Sequence, residues 1–163
     1  MSEAAFHIRP VRSAADLHAT ARLFHAYASA LGVDLSYQDF ATELATLPGK
    51  YAAPSGELLL ARNRDGAPWG CVGLRAIEPD GCCEMKRLYV SPEARGRGLG
   101  QALVDAIIAA AVRIGYREMR LDTLPTMTEA ISLYKKAGFV PIDPYYDTPI
   151  AGTFFLARAL NAR

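Results

Sequence analysis

Residues 90–104 read VSPEARGRGLGQALV, the end of an apolar stretch running through three alternating glycines into an amphipathic run. Glycine is costly in regular structure, so Gly96, Gly98 and Gly100 at a helix start need a physical reason. One reason is a tight turn with solvated arginines. The other is an anion cradle: amides at a helix N-terminus lack intrahelical acceptors, and the helix dipole adds partial positive charge there. With these side chains absent, the amides of Gly96 through Gln101 come within reach of a diphosphate. Each charge-assisted bond is worth about 1.5–3 kcal/mol.

The familiar nucleotide loops do not fit. A P-loop needs a Lys-Ser/Thr pair after its glycines, and none stands here. A dinucleotide GxGxxG counted from Gly96 meets Gln101 at its last position, and counted from Gly98 meets Leu103. The spacing that remains is R-x-x-G-x-G, formed by Arg95, Gly98 and Gly100.

Working outward, FHIRPV (residues 6–11) reads as an opening strand. Ser13 caps a helix with Leu17, Ala21, Phe24, Ala28 and Leu31 at helical spacing, stopped by Gly32. A second helix is expected from Ser36 to Leu47, before Pro48-Gly49. The period then changes to that of strands: Glu57–Asn63, an Asp65-Gly66 hairpin, Trp69–Ile77, a Pro79-Asp80-Gly81 turn and Cys82–Val90 form an antiparallel meander. Leu99, Leu103, Ile107, Ala110 and Ile114 then mark a helix ended by Gly115. Arg117–Thr123 is a strand, and Thr126 with Glu129 suggests a capping box for a helix from Met127 to Ala137. Strands over Phe139–Ile142 and Thr153–Leu160 close the chain around the loop DPYYDTPIAG. No repeat or linker interrupts this order, so residues 1–163 are expected to form one α/β domain.

Within CCEMKRLYV, Met85, Leu88 and Val90 break the period of two, because the first gap is three residues. A β-bulge near Lys86-Arg87 would bring all three onto the core face and bend the strand from its neighbour. The alternative is that Met85 points the other way.

The composition limits the function classes. At 163 residues, half hydrophobic and a fifth charged, the chain is globular in balance. Eighteen Lys plus Arg nearly cancel seventeen Asp plus Glu, which gives no broad basic surface for nucleic acid. No apolar run approaches a membrane span, and the N-terminus lacks a secretory pattern, so a cytoplasmic location is expected. Cys71, Cys82 and Cys83 have neither disulfide nor zinc spacing and read as buried thiols. His18 and His25 lie two helical turns apart, roughly 10 Å, too far to share a metal; no metal site is expected.

A strand ending Leu88-Tyr89-Val90, the R-x-x-G-x-G loop, an amphipathic helix, a strand ending Leu121-Asp122-Thr123 and a helix ending LYKKAGF together resemble the GNAT superfamily of acyl-CoA-dependent N-acetyltransferases. The motifs span about Cys82 to Val140, and the order of elements fits over nearly the whole chain. The resemblance implies a mixed central sheet, with an antiparallel meander and splayed fourth and fifth strands, flanked by about four helices. It implies acetyl-CoA as co-substrate. The backbone of Leu88, Tyr89 and Val90 would then pair with the pantetheine arm, and Arg95 with the amides of Gly96, Arg97, Gly98, Leu99, Gly100 and Gln101 would hold the pyrophosphate.

Tyr134 matches the family's motif tyrosine, a phenol that can serve the departing thiolate; alone, it reads as a packing residue. Two carboxylates are candidates for the base. Glu84, preferred, aligns with the glutamate of the histone-acetylating branch; Asp122, twelve residues before Tyr134, has the spacing of an acidic base in ribosomal-protein acetylating members. Either is also a plausible ion-pair partner. Many members carry an asparagine seven residues before the tyrosine, where this chain has Met127, so that coenzyme contact is lost or taken over by Thr126 or Thr128. In the final loop Tyr145, Tyr146 and Asp147 are candidates to flank an ammonium, or simply an aromatic-packed loop.

The reading that follows is transfer of acetyl from acetyl-CoA to a primary amine, on a small molecule or peptide, by direct attack in a ternary complex. A covalent route through Cys82 or Cys83 is disfavoured for want of a nucleophile motif. The alternatives are a non-catalytic acyl-CoA sensor and a nucleotide-binding module. Homodimer formation and the identity of the acceptor stay open.

Overall fold

The structure, a computed structural model, describes residues 5–160. In chain order it contains β1 (Phe6–Pro10), α1 (Ala14–Leu31), α2 (Phe40–Ala45), β2 (Glu57–Asn63), β3 (Pro68–Ile77), β4 (Cys82–Val90), α3 (Leu99–Ile114), β5 (Glu118–Thr123), α4 (Thr128–Lys136), β6 (Val140–Pro141) and β7 (Phe154–Ala159). The strands form one sheet ordered β1-β2-β3-β4-β5-β7-β6. Among the described residues only β4 and β5 run parallel; every other neighbouring pair is antiparallel.

The helix signals act where the chemistry is local. The Ser13 hydroxyl accepts from the Asp16 amide at 3.1 Å to start α1, and Gly32 ends it at φ +68°. The Asn63 side chain accepts from the amides of Asp65 and Ala67, which closes the β2–β3 hairpin with Gly66 at φ +87°.

Three expectations are corrected. The second helix is not continuous from Ser36 to Leu47. A 3₁₀ turn over Ser36–Gln38 meets Asp39 at φ +56°, and the α-helix covers only Phe40–Ala45. No capping box forms at α4, whose N-cap is Met127 without a side-chain cap bond. The strand expected over Phe139–Ile142 shortens to Val140–Pro141, since the Phe139 amide is taken by the Tyr134 carbonyl at the close of α4.

Helices cover both faces of the sheet. On one, α3 buries Leu99, Leu103, Val104 and Ile107 against Val72, Leu74, Met85 and Leu121, while Ile114 at its end is exposed. On the other, α1 contributes Ala19, Leu23 and Phe24 to a core with Tyr51, Leu58, Leu60 and Cys71. Burial of each large aliphatic or aromatic side chain favours folding by about 1.5–3 kcal/mol before entropy is counted.

The bulge expected in β4 is present. Cys71 pairs with Tyr89 and Gly73 with Lys86, leaving Arg87 and Leu88 opposite Val72 alone. Arg87 takes φ +62°, a left-handed conformation that costs a non-glycine residue about 1–3 kcal/mol. The shift puts Met85, Leu88 and Val90 against the α3-side core, and sends Lys86 and Arg87 together toward α1 and α2. Pairing of β4 with β5 is confined to Cys82–Glu84 against Glu118–Arg120. Beyond Glu84 the two strands part, and that opening positions the site.

Candidate active site

The opening between β4 and β5 is a cleft of about 550 Å³, counted out to its mouth. Met85, Lys86, Arg87 and Leu88 line one wall, Asp122 and Thr123 the other, with Tyr134 from α4 and Tyr27 from α1 closing it. Two of the three residues expected to act in catalysis, Tyr134 and Asp122, therefore meet in one cavity.

Tyr134 is buried, its ring edge-on to Phe139 at 6.0 Å between centroids. Its hydroxyl makes no hydrogen bond among the described residues. Burial first, then the nearby Tyr27 and Asp122, pushes the phenol pKa well above its ordinary value. At neutral pH it holds its proton.

Asp122 alternates on β5 with buried Met119, Leu121 and Thr123, so it faces away from α3. One of its oxygens, Oδ2, accepts from the Tyr146 hydroxyl; the other carries no hydrogen bond among the described residues. Glu84 is placed differently. It is 2 % exposed, and Arg75 donates to its Oε1 at 2.9 Å while the Tyr145 hydroxyl donates to its Oε2 at 2.6 Å. It does not line the cleft. Both candidate carboxylates are thus held by tyrosines of one loop. Tyr145 and Tyr146 pack edge-on against each other and against Phe155, with centroids 5.2–5.7 Å apart. Asp147 is exposed and takes no part in this cluster. His18 and His25 are exposed on α1.

Next to the cleft, none of the amides from Gly96 to Gln101 donates to an acceptor among the described residues; the first bond into α3 comes from Ala102 to the Gly98 carbonyl. Gly96 and Gly98 both stand at φ +79°, and a Cβ on either would point into open space. Gly100 serves another purpose, since a Cβ there would come within 2.8 Å of the Leu133 side chain. The contact brings the start of α3 against α4, next to Tyr134. Arg95 Nε donates to the Val90 carbonyl at 3.3 Å, and the Arg97 guanidinium lies over the Trp69 ring at 5.1 Å. Past Glu84, the β5-facing edge of Leu88, Tyr89 and Val90 has no partner strand among the described residues.

The sequence matches the profile of the acetyltransferase (GNAT) family over residues 19–139. The chain belongs to the GNAT family. An uncharacterized N-acetyltransferase of Schizosaccharomyces pombe is 41% identical over 154 residues, 94% of each chain. A GNAT-family acetyltransferase from Staphylococcus aureus superposes with a TM-score of 0.78 at 19% identity, covering 96% of this chain and 100% of that one. A phosphinothricin acetyltransferase from Sinorhizobium meliloti, in complex with acetyl-CoA, superposes at 0.71 with 23% identity, over 96% and 89%. The protein is accordingly an N-acetyltransferase of the acyl-CoA-dependent GNAT type, with the mixed sheet and splayed β4 and β5 of that fold.

Around this GNAT cleft the structure also assembles groups the motifs did not mark. Arg87, 3 % exposed, grips Glu43 of α2, and its guanidinium lies over the rings of Tyr27 and Phe40. Lys86, also buried, donates from Nζ to Gln38 Oε1 at 3.0 Å. Charged residues rarely lie buried unless paired, so their periodicity gave no warning. The cysteines are buried free thiols. Burial, with a smaller contribution from Cys82 and Glu84, pushes Cys83 up to about 12, so it offers no thiolate at neutral pH.

Proposed function

We propose that the protein acetylates a primary amine with acetyl-CoA by direct attack within a ternary complex. The observation that carries this reading is the adjacency of six free amides at the start of α3 to a cleft holding a protonated phenol and a carboxylate. The free amides and the open space beside Gly96 and Gly98 fit a pyrophosphate. Arg95 and Arg97, both exposed beside it, add positive charge. The unpaired edge of Leu88, Tyr89 and Val90 fits an extended amide-bearing arm, which it would hold as an added strand holds its neighbour. When bound, acetyl-CoA supplies the thioester carbonyl and the leaving thiolate.

Asp122 takes a proton from the acceptor ammonium, directly or through water, freeing the nitrogen lone pair. As the new N–C bond forms and the C–S bond breaks, Tyr134 gives its proton to the departing sulfur, and the second N–H proton shed by the acylated nitrogen restores the phenol. Asp122 is favoured over Glu84 because it lines the cleft and keeps one oxygen free among the described residues, whereas both Glu84 oxygens are engaged. Glu84 orders the β3–β4 region and the Tyr145 loop. Burial pushes the Cys83 thiol up, which favours direct transfer over an acyl-cysteine route.

The test is release of coenzyme A thiol from acetyl-CoA across a panel of amines. Amine-dependent release with a sequential rate law supports the reading. Coenzyme binding without thiol release from any amine overturns it in favour of a sensor. Parallel-line kinetics with an isolable acetyl-enzyme overturns the direct route.

A further inference from the structure

We propose that the acceptor is an amino carboxylate, with its amine directed to Asp122 and its carboxylate held by Lys86. This rests on the acetyl-transfer reading above for the role of the cleft, and adds the class of the acceptor. The chemistry begins with the state of Lys86. Its side chain is buried and lines the cleft, and its only hydrogen-bond partner among the described residues is the neutral Gln38 amide. An ammonium has three donors, and Gln38 takes one. A buried cation is costly unless a charge of opposite sign meets it.

The surrounding charges do not meet that need by contact. Arg87, next in β4, is paired with Glu43, and Arg75 of β3 with Glu84. Glu84 and Asp122 act on Lys86 only at a distance, without an ion pair. The cleft therefore presents a carboxylate on one wall and, on the other, an amine whose pKa burial lowers and whose ammonium form an anionic ligand would stabilise. A ligand carrying both charges, an amine and an anionic group a few bonds apart, completes both walls at once. A diamine would instead set its second positive charge against Lys86 and Arg87.

The bulge accounts for this placement. It turns two successive residues, Lys86 and Arg87, onto the α1–α2 side, where ordinary strand alternation would send one of them into the α3 core.

The experiment uses the whole protein and matched pairs: phenylalanine against phenethylamine, glutamate against 4-aminobutyrate, and leucine against isoamylamine. Binding is measured calorimetrically on protein saturated with coenzyme A, and turnover by thiol release. The expected result is binding and turnover of the α-amino acids, with kcat/KM at least about 30-fold above that of phenethylamine or isoamylamine. In 4-aminobutyrate a carboxylate is retained at another spacing, so it reports the reach of the anchor. Lys86→Met should remove the preference by raising KM for the α-amino acids, with affinity for coenzyme A retained; Lys86→Gln checks the result in a polar isostere. Equal or better use of phenethylamine or isoamylamine, an unchanged preference in both variants, or no calorimetric binding of any of the acids overturns the proposal. Lys86-dependent binding of the acids without thiol release supports the anchor and overturns only the transfer reading.

Discussion

The Arg87 guanidinium holds the Glu43 carboxylate through two hydrogen bonds of 2.9 Å, joining the bulge of β4 to α2 across 44 residues of sequence. The pair fixes the wall of the cleft, because the bulge that turns Arg87 inward also supplies Lys86 and the free edge of Leu88–Val90. Burial alone would raise the Glu43 carboxyl, but the hydrogen bonds and charge of Arg87 outweigh it and hold its pKa below the ordinary value.

Glu43→Gln should therefore be strongly destabilising, by about 3–5 kcal/mol, since it strands a buried guanidinium. Denaturant unfolding measures this directly. The sign with pH follows from the lowered folded-state pKa. The contribution of Glu43 is complete above its unfolded value of 4.5 and fades as pH falls through the lower folded value. The gap between wild type and Glu43→Gln should narrow in that acid window and be constant above it.

Gly98 tests the cradle separately from the fold. Its φ of +79° is left-handed, a region that Asn and Asp tolerate better than other non-glycine residues. Gly98→Asn should keep coenzyme A affinity within about tenfold, whereas Gly98→Asp sets a carboxylate against the phosphates. A loss of one or two charge-assisted bonds, each about 1.5–3 kcal/mol, makes the expected drop at least about 100-fold. Trp69, the single tryptophan, lies under Arg97 beside the cradle, so its fluorescence reports binding. Equal affinities in the two variants would remove the phosphate from this loop.

What the sequence showed was local or periodic. The odd spacing of Met85, Leu88 and Val90 exposed the bulge, because a core face cannot skip a residue without one. Gly96 and Gly98 read correctly as backbone positions, but Gly100 did not: its demand comes from Leu133, on a helix more than thirty residues away. The second helix was overcalled because apolar spacing is blind to a residue such as Asp39 taking a left-handed turn. The carboxylates were found by motif alignment, yet their difference was not legible. Glu84 is sealed by Arg75 and Tyr145, and Asp122 is left with a free oxygen, through contacts made only when distant segments pack. The same holds for Lys86 and Arg87, whose charge made them look like surface residues.

Glu84 and Asp122 separate on stability against rate. Glu84→Gln leaves Arg75 without its carboxylate and should lower stability by about 3 kcal/mol, the low end for a buried pair because Arg75 is partly exposed. Its kcat should stay within about threefold of wild type. Asp122→Asn should reverse this, with a modest stability change and a fall in kcat on the order of 10²–10³. Chemical unfolding and thiol-release kinetics read both. A large kcat loss in Glu84→Gln at unchanged stability would return the base to Glu84.

Tyr134→Phe isolates the leaving-group step cleanly because the hydroxyl makes no hydrogen bond among the described residues. Phenylalanine preserves the edge contact with Phe139 and the burial of the ring, so unfolding free energy should change by less than about 1 kcal/mol. Coenzyme A affinity should likewise hold, while kcat falls on the order of 10²–10⁴ through loss of the proton donor. The raised pKa adds a second readout. An acid must keep its proton to act, and this phenol keeps it beyond the ordinary tyrosine range. The alkaline loss of kcat that depends on Tyr134 should therefore lie above pH 10. A Tyr134-dependent rise of kcat with pH, complete by about pH 8, would instead show that the phenol acts ionised, as a base for the amine.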